Sequence, residues 1–303
     1  MRKALGIDLG GTNIKGVLID EDGNILHQTR KATVGEMDGV WHQNVKDVYT
    51  ELREFDSDAS IKIGLSAPGL ANETNTCINF LPNRLPGLER FDWSGFLGKE
   101  TSVLNDAHAA LMAEFTFGVM RGMKNAILIT LGTGVGGGLL LDGKLYQGLA
   151  QMAGHIGHST VQSGSDELSI LGIPGSLEYA IGNYSISKRS QGTFQSTYEL
   201  LEAYKKEDTF ATWMWLDMMR TLALSICSLT NIFSPEAVVL SGGLTHAGNI
   251  LFDSLQDFID RYEFRPHGKQ TKILKSQFGD FSGALGAAAF AMNKSKNRLT
   301  NSK

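Results

Sequence analysis

Short apolar blocks separated by glycine and aspartate open the chain. Residues 4–7, 14–19 and 24–28 read as three strands, parted by a Gly-rich turn and an Asp-Gly turn. Trp41, Val45, Val48, Leu52 and Phe55 then recur at spacings of four and three, which predicts an amphipathic helix. Ile61, Ile63 and Leu65 alternate with Lys62 and Gly64, a strand pattern that ends at the turn Ser66-Ala67-Pro68-Gly69. Residues 70–99 are loop-rich, Val103-Leu104 is a short buried strand, and a helix starts near Asp106.

The layout then restarts. Residues 126–131 predict a strand, 132–138 a Gly-rich turn, 139–141 a strand, Asp142-Gly143 a turn, and 144–146 another strand. The opening has the same order: strand, Asp8-Leu9-Gly10-Gly11-Thr12, strand, Asp22-Gly23, strand. A unit repeated at so long a period is a duplication rather than a solenoid. Long helices are predicted at about 212–233 and 248–262, strands at 237–240 and 272–275, and a last helix from near Gly283. The tail 293–303 is polar and expected to fray, and 183–210 shows no period. The expected fold class is α/β, with two similar lobes around a cleft. Residues 1–115 would form a smaller N-terminal lobe, completed by the last helix (about 286–303), and 116–285 a larger C-terminal lobe. In open α/β folds, ligands bind where strand ends meet such a crevice.

Composition narrows the partners. Hydrophobic residues make up 42% and charged residues 20%, the balance of a globular chain. A net charge of −4 offers no basic excess for a phosphate backbone, which excludes nucleic acid as principal partner. Cys77 and Cys227 stand alone, with neither a disulfide framework nor a paired metal-ligand spacing around them. The apolar run after Met1-Arg2-Lys3 is too short for a signal peptide, and no stretch approaches the roughly 18 apolar residues of a membrane span. The expectation is a cytoplasmic protein in a reducing compartment. Glycine, at 35 of 303 residues, exceeds the usual share of about 7% and clusters directly after apolar runs.

Those clusters carry the candidate chemistry. In Asp8-Leu9-Gly10-Gly11-Thr12-Asn13-Ile14-Lys15, successive glycines let backbone N–H groups converge on an anion, and Thr12 adds a hydroxyl. Asp8, at a strand end, could hold a hydrated Mg²⁺; a plain hairpin turn is the alternative. Gly132-Thr133-Gly134-Val135-Gly136 repeats the pattern, and two such turns at equivalent places favour phosphate binding over tight packing alone. Ser241-Gly242-Gly243 follows another apolar strand, where glycines can admit a flat base or a ribose. Asp106, after Asn105, could accept a proton from a hydroxyl or could simply cap a helix. His155, His158 and Glu178 lie in Gly-rich loops suited to hydroxyl recognition.

In this order, the stations resemble the ROK family of sugar kinases, repressors and related open reading frames. The matching pieces are Asp8–Lys15, Ser66–Gly69, Asn79-Phe80-Leu81-Pro82, Asn105-Asp106-Ala107, Leu131–Gly138 and Tyr146-Gln147-Gly148. They continue with Ala153–His158, Gly172–Glu178, Ser241-Gly242-Gly243 and Gly283-Ala284-Leu285-Gly286-Ala287-Ala288. The resemblance implies a two-lobed actin-like ATPase (ribonuclease H-like) fold with duplicated strand-strand-strand-helix-strand-helix units. It also implies a sugar kinase like bacterial glucokinases and N-acetylhexosamine kinases, using ATP and Mg²⁺, and a homodimer. Asp106 would be the catalytic base, with Gly69, Asn79, Asn105, His155, His158 and Glu178 around the sugar. Asp8, Gly10, Gly11, Thr12, Asn13, Lys15, Gly132, Thr133, Gly134, Gly242 and Gly243 would serve ATP. The alternatives are a catalytically impaired, sugar-sensing relative without a DNA-binding module, and an actin-like ATPase with a protein partner.

Two departures from the family pattern stand out. His155 occupies a position where the family usually has Glu. The zinc loop of many members, for which His158 would be the fourth ligand, reads Ser169-Ile170-Leu171-Gly172-Ile173-Pro174-Gly175-Ser176 here, with no cysteine. No metal ligand is therefore expected in that loop, and packing of Ile170, Leu171, Ile173 and Pro174 is expected to hold it.

Overall fold

The computed structural model describes residues 2–33, 40–82 and 84–300. It divides into two compact units, one formed by Met1–Gly122, Gln147–Ala153 and Gln277–Lys303, the other by Met123–Tyr146 and Gly154–Ser276.

The first unit opens with β1 (Lys3–Leu9), β2 (Asn13–Asp20) and β3 (Ile25–Ala32), followed by α1 (Trp41–Phe55) and β4 (Lys62–Ala67). The stretch read as loop contains β5 (Leu70–Ala71), β6 (Ile78–Phe80) and α2 (Trp93–Leu97), too short for a period to show. Then come β7 (Thr101–Asn105) and α3 (Asp106–Thr116). The sheet order is β3-β2-β1-β4-β7; β1 to β3 pair antiparallel, and β4 and β7 add in parallel. Leu5, Ile7 and Leu9 point to one face, where Trp41, Val45 and Leu52 of α1 and Trp93 of α2 complete a buried core.

The second unit repeats this plan. Its strands are β8 (Ala126–Leu131), β9 (Val135–Leu141) and β10 (Lys144–Tyr146). Short helices α4 (Leu177–Ile181), α5 (Ile186–Arg189) and α6 (Thr197–Tyr204) follow, then the long α7 (Thr209–Phe233). The chain continues through β11 (Ala237–Ser241), α8 (Asn249–Tyr262) and β12 (Lys272–Lys275). The sheet order β10-β9-β8-β11-β12 copies the first, again with three antiparallel strands and two parallel additions. The aperiodic segment 183–210 thus holds a 3-10 turn at Asn183–Ser185, the short helices α5 and α6 and the start of α7; Ser196 accepts from Glu199 N to cap α6, and Asp208 from Ala211 N to cap α7. One expectation is corrected: β9 begins at Val135, so Gly136, Gly137 and Gly138 are strand residues and the turn is only Gly132-Thr133-Gly134. The glycines serve close packing, since a methyl group on Gly137 would lie 2.7 Å from the Gly154 carbonyl oxygen.

The chain returns to the first unit as α9 (Ser282–Thr300). The polar tail expected to fray from residue 293 is helical as far as Thr300; residues 301–303 lie outside the described residues. Ala284, Leu285, Ala288 and Met292 cover the second face of the first sheet with Ala4, Val17, Ile19 and Ala113. Backbone meets backbone here. A methyl group on Gly6 would lie 1.8 Å from the Ala284 oxygen, and one on Gly64 1.9 Å from that of Ala287.

Candidate active site

In the first unit, three parallel strands end side by side. Asp8 pairs with Ser66, and Ala67 with Asn105, so β1, β4 and β7 deliver Asp8, Ser66 and Asn105-Asp106 to one edge. Asp8 accepts a hydrogen bond from the Ser66 hydroxyl at 2.5 Å. Its carboxylate also faces the first turn of α9, where a methyl group on Gly283 would lie 2.6 Å from it. Loss of water raises the Asp8 pKa to about 6, with the Asp106 charge adding to the rise, against the Ser66 hydrogen bond and Lys15. A half-buried carboxylate so short of cationic partners suits a divalent ion. Mg²⁺ commonly keeps several waters and takes only one or two protein carboxylates, so Asp8 alone fits as its protein ligand.

Asn105 settles which residue caps α3. Its side chain accepts from Ala107 N and His108 N at 2.9 and 3.3 Å, and its amide donates to the Gly69 carbonyl at 2.9 Å. Asp106 therefore occupies the first helical position and is not the cap; its carboxylate remains open to solvent. Crowding by surrounding protein still raises its pKa, while the Ala107 N–H and the Arg84 charge pull it down. His108, one residue beyond Ala107, is buried, and its Nε2 lies 2.9 Å from the Ala153 carbonyl, to which it donates. Burial lowers its pKa and keeps it neutral.

The phosphate-loop candidates Gly10, Gly11 and Thr12 join β1 to β2, with Gly10 N donating to the Asn13 carbonyl at 3.1 Å. The Lys15 ammonium is turned onto Asp280, donating to its carbonyl at 2.8 Å, and Arg30 meets the Asp280 carboxylate at 2.7 Å. Asn79 is exposed on β6, and among the described residues no hydrogen bond joins its side chain to Asn105 or Gly69. The backbone of the adjacent Phe80 does reach the Gly69 turn, where a methyl group would come within 2.5 Å of its oxygen. Arg84 was not expected at all: a methyl group on Gly11 would stand 2.8 Å from its guanidinium. A cation within a loop of prolines and glycines is the sole cue that spelling offers for it.

The second unit gathers its candidates around Val135. Glu178, buried in α4, accepts from Val135 N at 3.3 Å through one oxygen and from Ile170 N at 3.2 Å through the other. A methyl group on Gly134 would fall 2.2 Å from Glu178, and one on Gly157 1.9 Å from the Val135 carbonyl oxygen. The turn 132–134, Glu178 and the His155–His158 turn are thus held together through one strand end. The His155 and His158 rings stack, with centroids 6.2 Å apart and planes 7° from parallel. Gly242, at the end of β11, presses on β8, where a methyl group would lie 2.5 Å from the Leu131 oxygen. This brings Gly242-Gly243 beside Gly132.

The cysteine-free loop is not held as expected. Of the four residues expected to pack, Ile170, Leu171 and Pro174 are exposed and only Ile173 is partly buried. Hydrogen bonds do the holding: Ser169 N to Ile173 O, Ile173 N to the Ser169 hydroxyl, Gly172 N to Ser169 O and Gly175 N to Glu167 O. Backbone polar groups that would otherwise sit unpaired define this loop.

Comparison with known proteins agrees with these stations. The model of the ROK family matches residues 4–294. This chain belongs to the ROK family. A glucokinase of Thermotoga maritima is 28% identical, with 95% of this chain and 96% of that protein covered. An N-acetylmannosamine kinase of Vibrio cholerae is 30% identical over 95% of this chain and 98% of its own. Among solved structures, a ROK family glucokinase from Streptomyces griseus, in complex with glucose and AMPPNP, superposes with a TM-score of 0.78. It is 24% identical and covers 96% of this chain and 99% of that one. The duplicated sheets are those of the actin-like ATPase (ribonuclease H-like) fold. No described helix is long and apolar enough to cross a membrane.

Proposed function

We propose that this ROK protein is an ATP-dependent sugar kinase. It transfers the γ-phosphoryl group of Mg-ATP to a hydroxyl of a hexose or N-acetylhexosamine. The observation that carries the reading is Asp106: a carboxylate at a strand-helix junction, relieved of capping by Asn105 and left open beside the Asp8 edge. Named relatives on both sides of the substrate choice, a glucokinase and an N-acetylmannosamine kinase, support the class and leave the sugar open.

In this reading Asp106 takes the proton of the attacking hydroxyl, and its raised pKa makes it a better base than an ordinary carboxylate. Asn105 positions the Gly69 backbone against the sugar while capping α3. His155, His158 and Glu178 contact sugar hydroxyls, with Asn79 near the Gly69 turn. Glu178 is oriented by the Val135 and Ile170 amides. Gly10, Gly11, Thr12, Asn13 and Lys15 serve the phosphates, as do Gly132, Thr133 and Gly134, and Gly242-Gly243 admits the nucleoside. Asp8 would hold Mg²⁺, which when bound offsets phosphate charge. The remaining catalysis is positioning, since phosphoryl transfer asks little covalent chemistry of the protein. The protein acts in the cytoplasm as a homodimer and without nucleic acid, a reading that rests on the family and on the acidic balance of −4. An impaired sensor is disfavoured by the solvent-exposed Asp106 and by relatives named as kinases. A coupled ADP-release assay over hexoses and N-acetylhexosamines tests the proposal; no ADP release with any sugar would refute it.

A further inference from the structure

We propose that Tyr184 is a positioning residue for Glu178: its main chain is tied to the turn 132–134, and its buried hydroxyl supplies the carboxylate with a third donor. The inference rests on the kinase reading and deepens it. The segment from Glu178 to Tyr184 touches both ends of the proposed reaction. At one end stands Glu178, assigned to the sugar. At the other, Asn183 N donates to the Gly132 carbonyl and Tyr184 N to that of Thr133, each at 3.1 Å. Gly182 leaves no slack between them. A methyl group there would lie 2.7 Å from the Glu178 carbonyl oxygen, and 2.9 Å from both the Thr133 carbonyl oxygen and the Tyr184 ring. The Ser185 hydroxyl closes the turn, shared between the Tyr179 and Gly182 carbonyls at 2.6 and 2.9 Å.

The Tyr184 ring meets Tyr179 edge to face, with centroids 6.5 Å apart. Its hydroxyl is buried and has no hydrogen-bond partner among the described residues. A buried polar group left so costs stability, and native folds keep few of them. Its natural acceptor can be identified. The Ile170 N–H donates to Glu178 Oε2 at 3.2 Å and also acts on the Tyr184 hydroxyl, so the two oxygens share one neighbourhood. Burial, then the Glu178 charge, push the Tyr184 pKa up to about 12, which keeps the phenol protonated and a donor. The neighbouring carboxylates are committed: Asp217 faces Arg189 at 3.9 Å, and Glu167 pairs with Lys188. Glu178 has room for the donor. Its oxygens take one amide each, Val135 at 3.3 Å and Ile170 at 3.2 Å, of about four lone-pair sites. Both bonds lie at the long end of the usual range, so the carboxylate is loosely aimed. As Glu178 turns to a sugar hydroxyl, Tyr184 donates to it and fixes its aim, while the same residue holds the phosphate turn.

The test is Tyr184→Phe and Glu178→Gln, made singly and together, with kcat and both KM values measured on the best sugar and melting temperatures taken without ligands. Tyr184→Phe keeps the ring and the main-chain bonds and deletes only the hydroxyl. Sugar KM should rise roughly three- to tenfold, the worth of one net hydrogen bond, while ATP KM stays parental. The melting temperature should be parental or higher, because an unpartnered buried hydroxyl is lost. In the Glu178→Gln background the same change should have a smaller effect on kcat/KM, since a neutral amide accepts more weakly than a carboxylate. With an active parent, an unchanged sugar KM overturns the assignment. So does a rise shared equally by ATP KM, a lowered melting temperature, or full additivity with Glu178→Gln. An inactive parent refutes the kinase reading itself, and this inference with it.

Discussion

Asn105 and Asp106 are neighbours in the chain with side chains of the same length, one ending in an amide and the other in a carboxylate, yet they carry opposite duties. The amide spends its hydrogen bonds on α3 and the Gly69 turn, so the Asp106 carboxylate, which takes the Ala107 N–H on one oxygen, can serve chemistry. Asp106→Asn should therefore lower kcat by about 10²–10⁴-fold, the usual worth of a general base, while calorimetric sugar affinity stays near parental. A variant that keeps parental turnover would remove Asp106 from the mechanism. Asp8 allows a pH prediction. Its folded pKa is raised to about 6, so its contribution to stability is present below the unfolded value and is lost as pH rises through 6. Asp8→Asn escapes that loss: without Mg²⁺ it should melt ~2–4 °C above the parent at pH 7, about 1 kcal/mol, with little difference at pH 4, and it should not turn over. An equal offset at both pH values would contradict the linkage. His155→Glu restores an acceptor-only side chain. A hydrogen bond to a charged group is worth about 1.5–3 kcal/mol, so kcat/KM for some sugars should change roughly ten- to a hundredfold, and their ranking should alter. An unchanged ranking across the panel would show that the ring points away from substrate.

At the scale of elements, glycine spacing decides what may touch. Gly64→Ala would drive a methyl group into the Ala287 backbone, and backbone cannot rotate away as a side chain can. The expected cost is about 1–3 kcal/mol or more, read as a lowered denaturant midpoint. Gly279→Ala, where an added methyl group meets open space and the backbone is not left-handed, is the control for glycine loss without crowding, and a Gly64 variant no worse than it would refute the contact argument. Most of the layout was legible in the sequence because strands announce themselves by alternation, and the duplicated unit by its two Asp-Gly turns. What escaped did so for physical reasons. β5, β6, α2 and α5 are too short for a period to repeat. Gly136 to Gly138 read as a turn, although they form a strand thinned to admit a neighbouring loop. The 169–176 loop read as packed from its apolar spelling, yet its hydrogen bonds come from backbone that spelling does not reveal. At the site, Asp106 was legible and the cap was not, since Asn and Asp serve equally well in that role. Arg84 was silent because no periodicity marks a loop cation.

The whole molecule is stitched from chain that leaves the first unit at Gly122, revisits it at Gln147–Ala153, and ends in it from Gln277 onward. Neither unit is a contiguous segment. Deleting residues 277–303 should leave an insoluble or molten product, while the intact chain gains about 2.7 kcal/mol from a ligand at one hundred times its Kd. A soluble, cooperatively melting truncation would show that α9 is dispensable. The seat of α9 has a further consequence, in time rather than in energy. A ribosome finishes β1 and β4 early, with Gly6 and Gly64 exposing a bare, flat stretch of strand backbone. From the end of β4 at Ala67 it then makes about 215 residues more before α9 begins at Ser282, roughly 11–43 s at ~5–20 residues per second. For that interval the nascent sheet lacks its native cover, so trigger-type chaperones should dwell on it. Slowing translation late in the message should raise aggregation, whereas slowing it early should not.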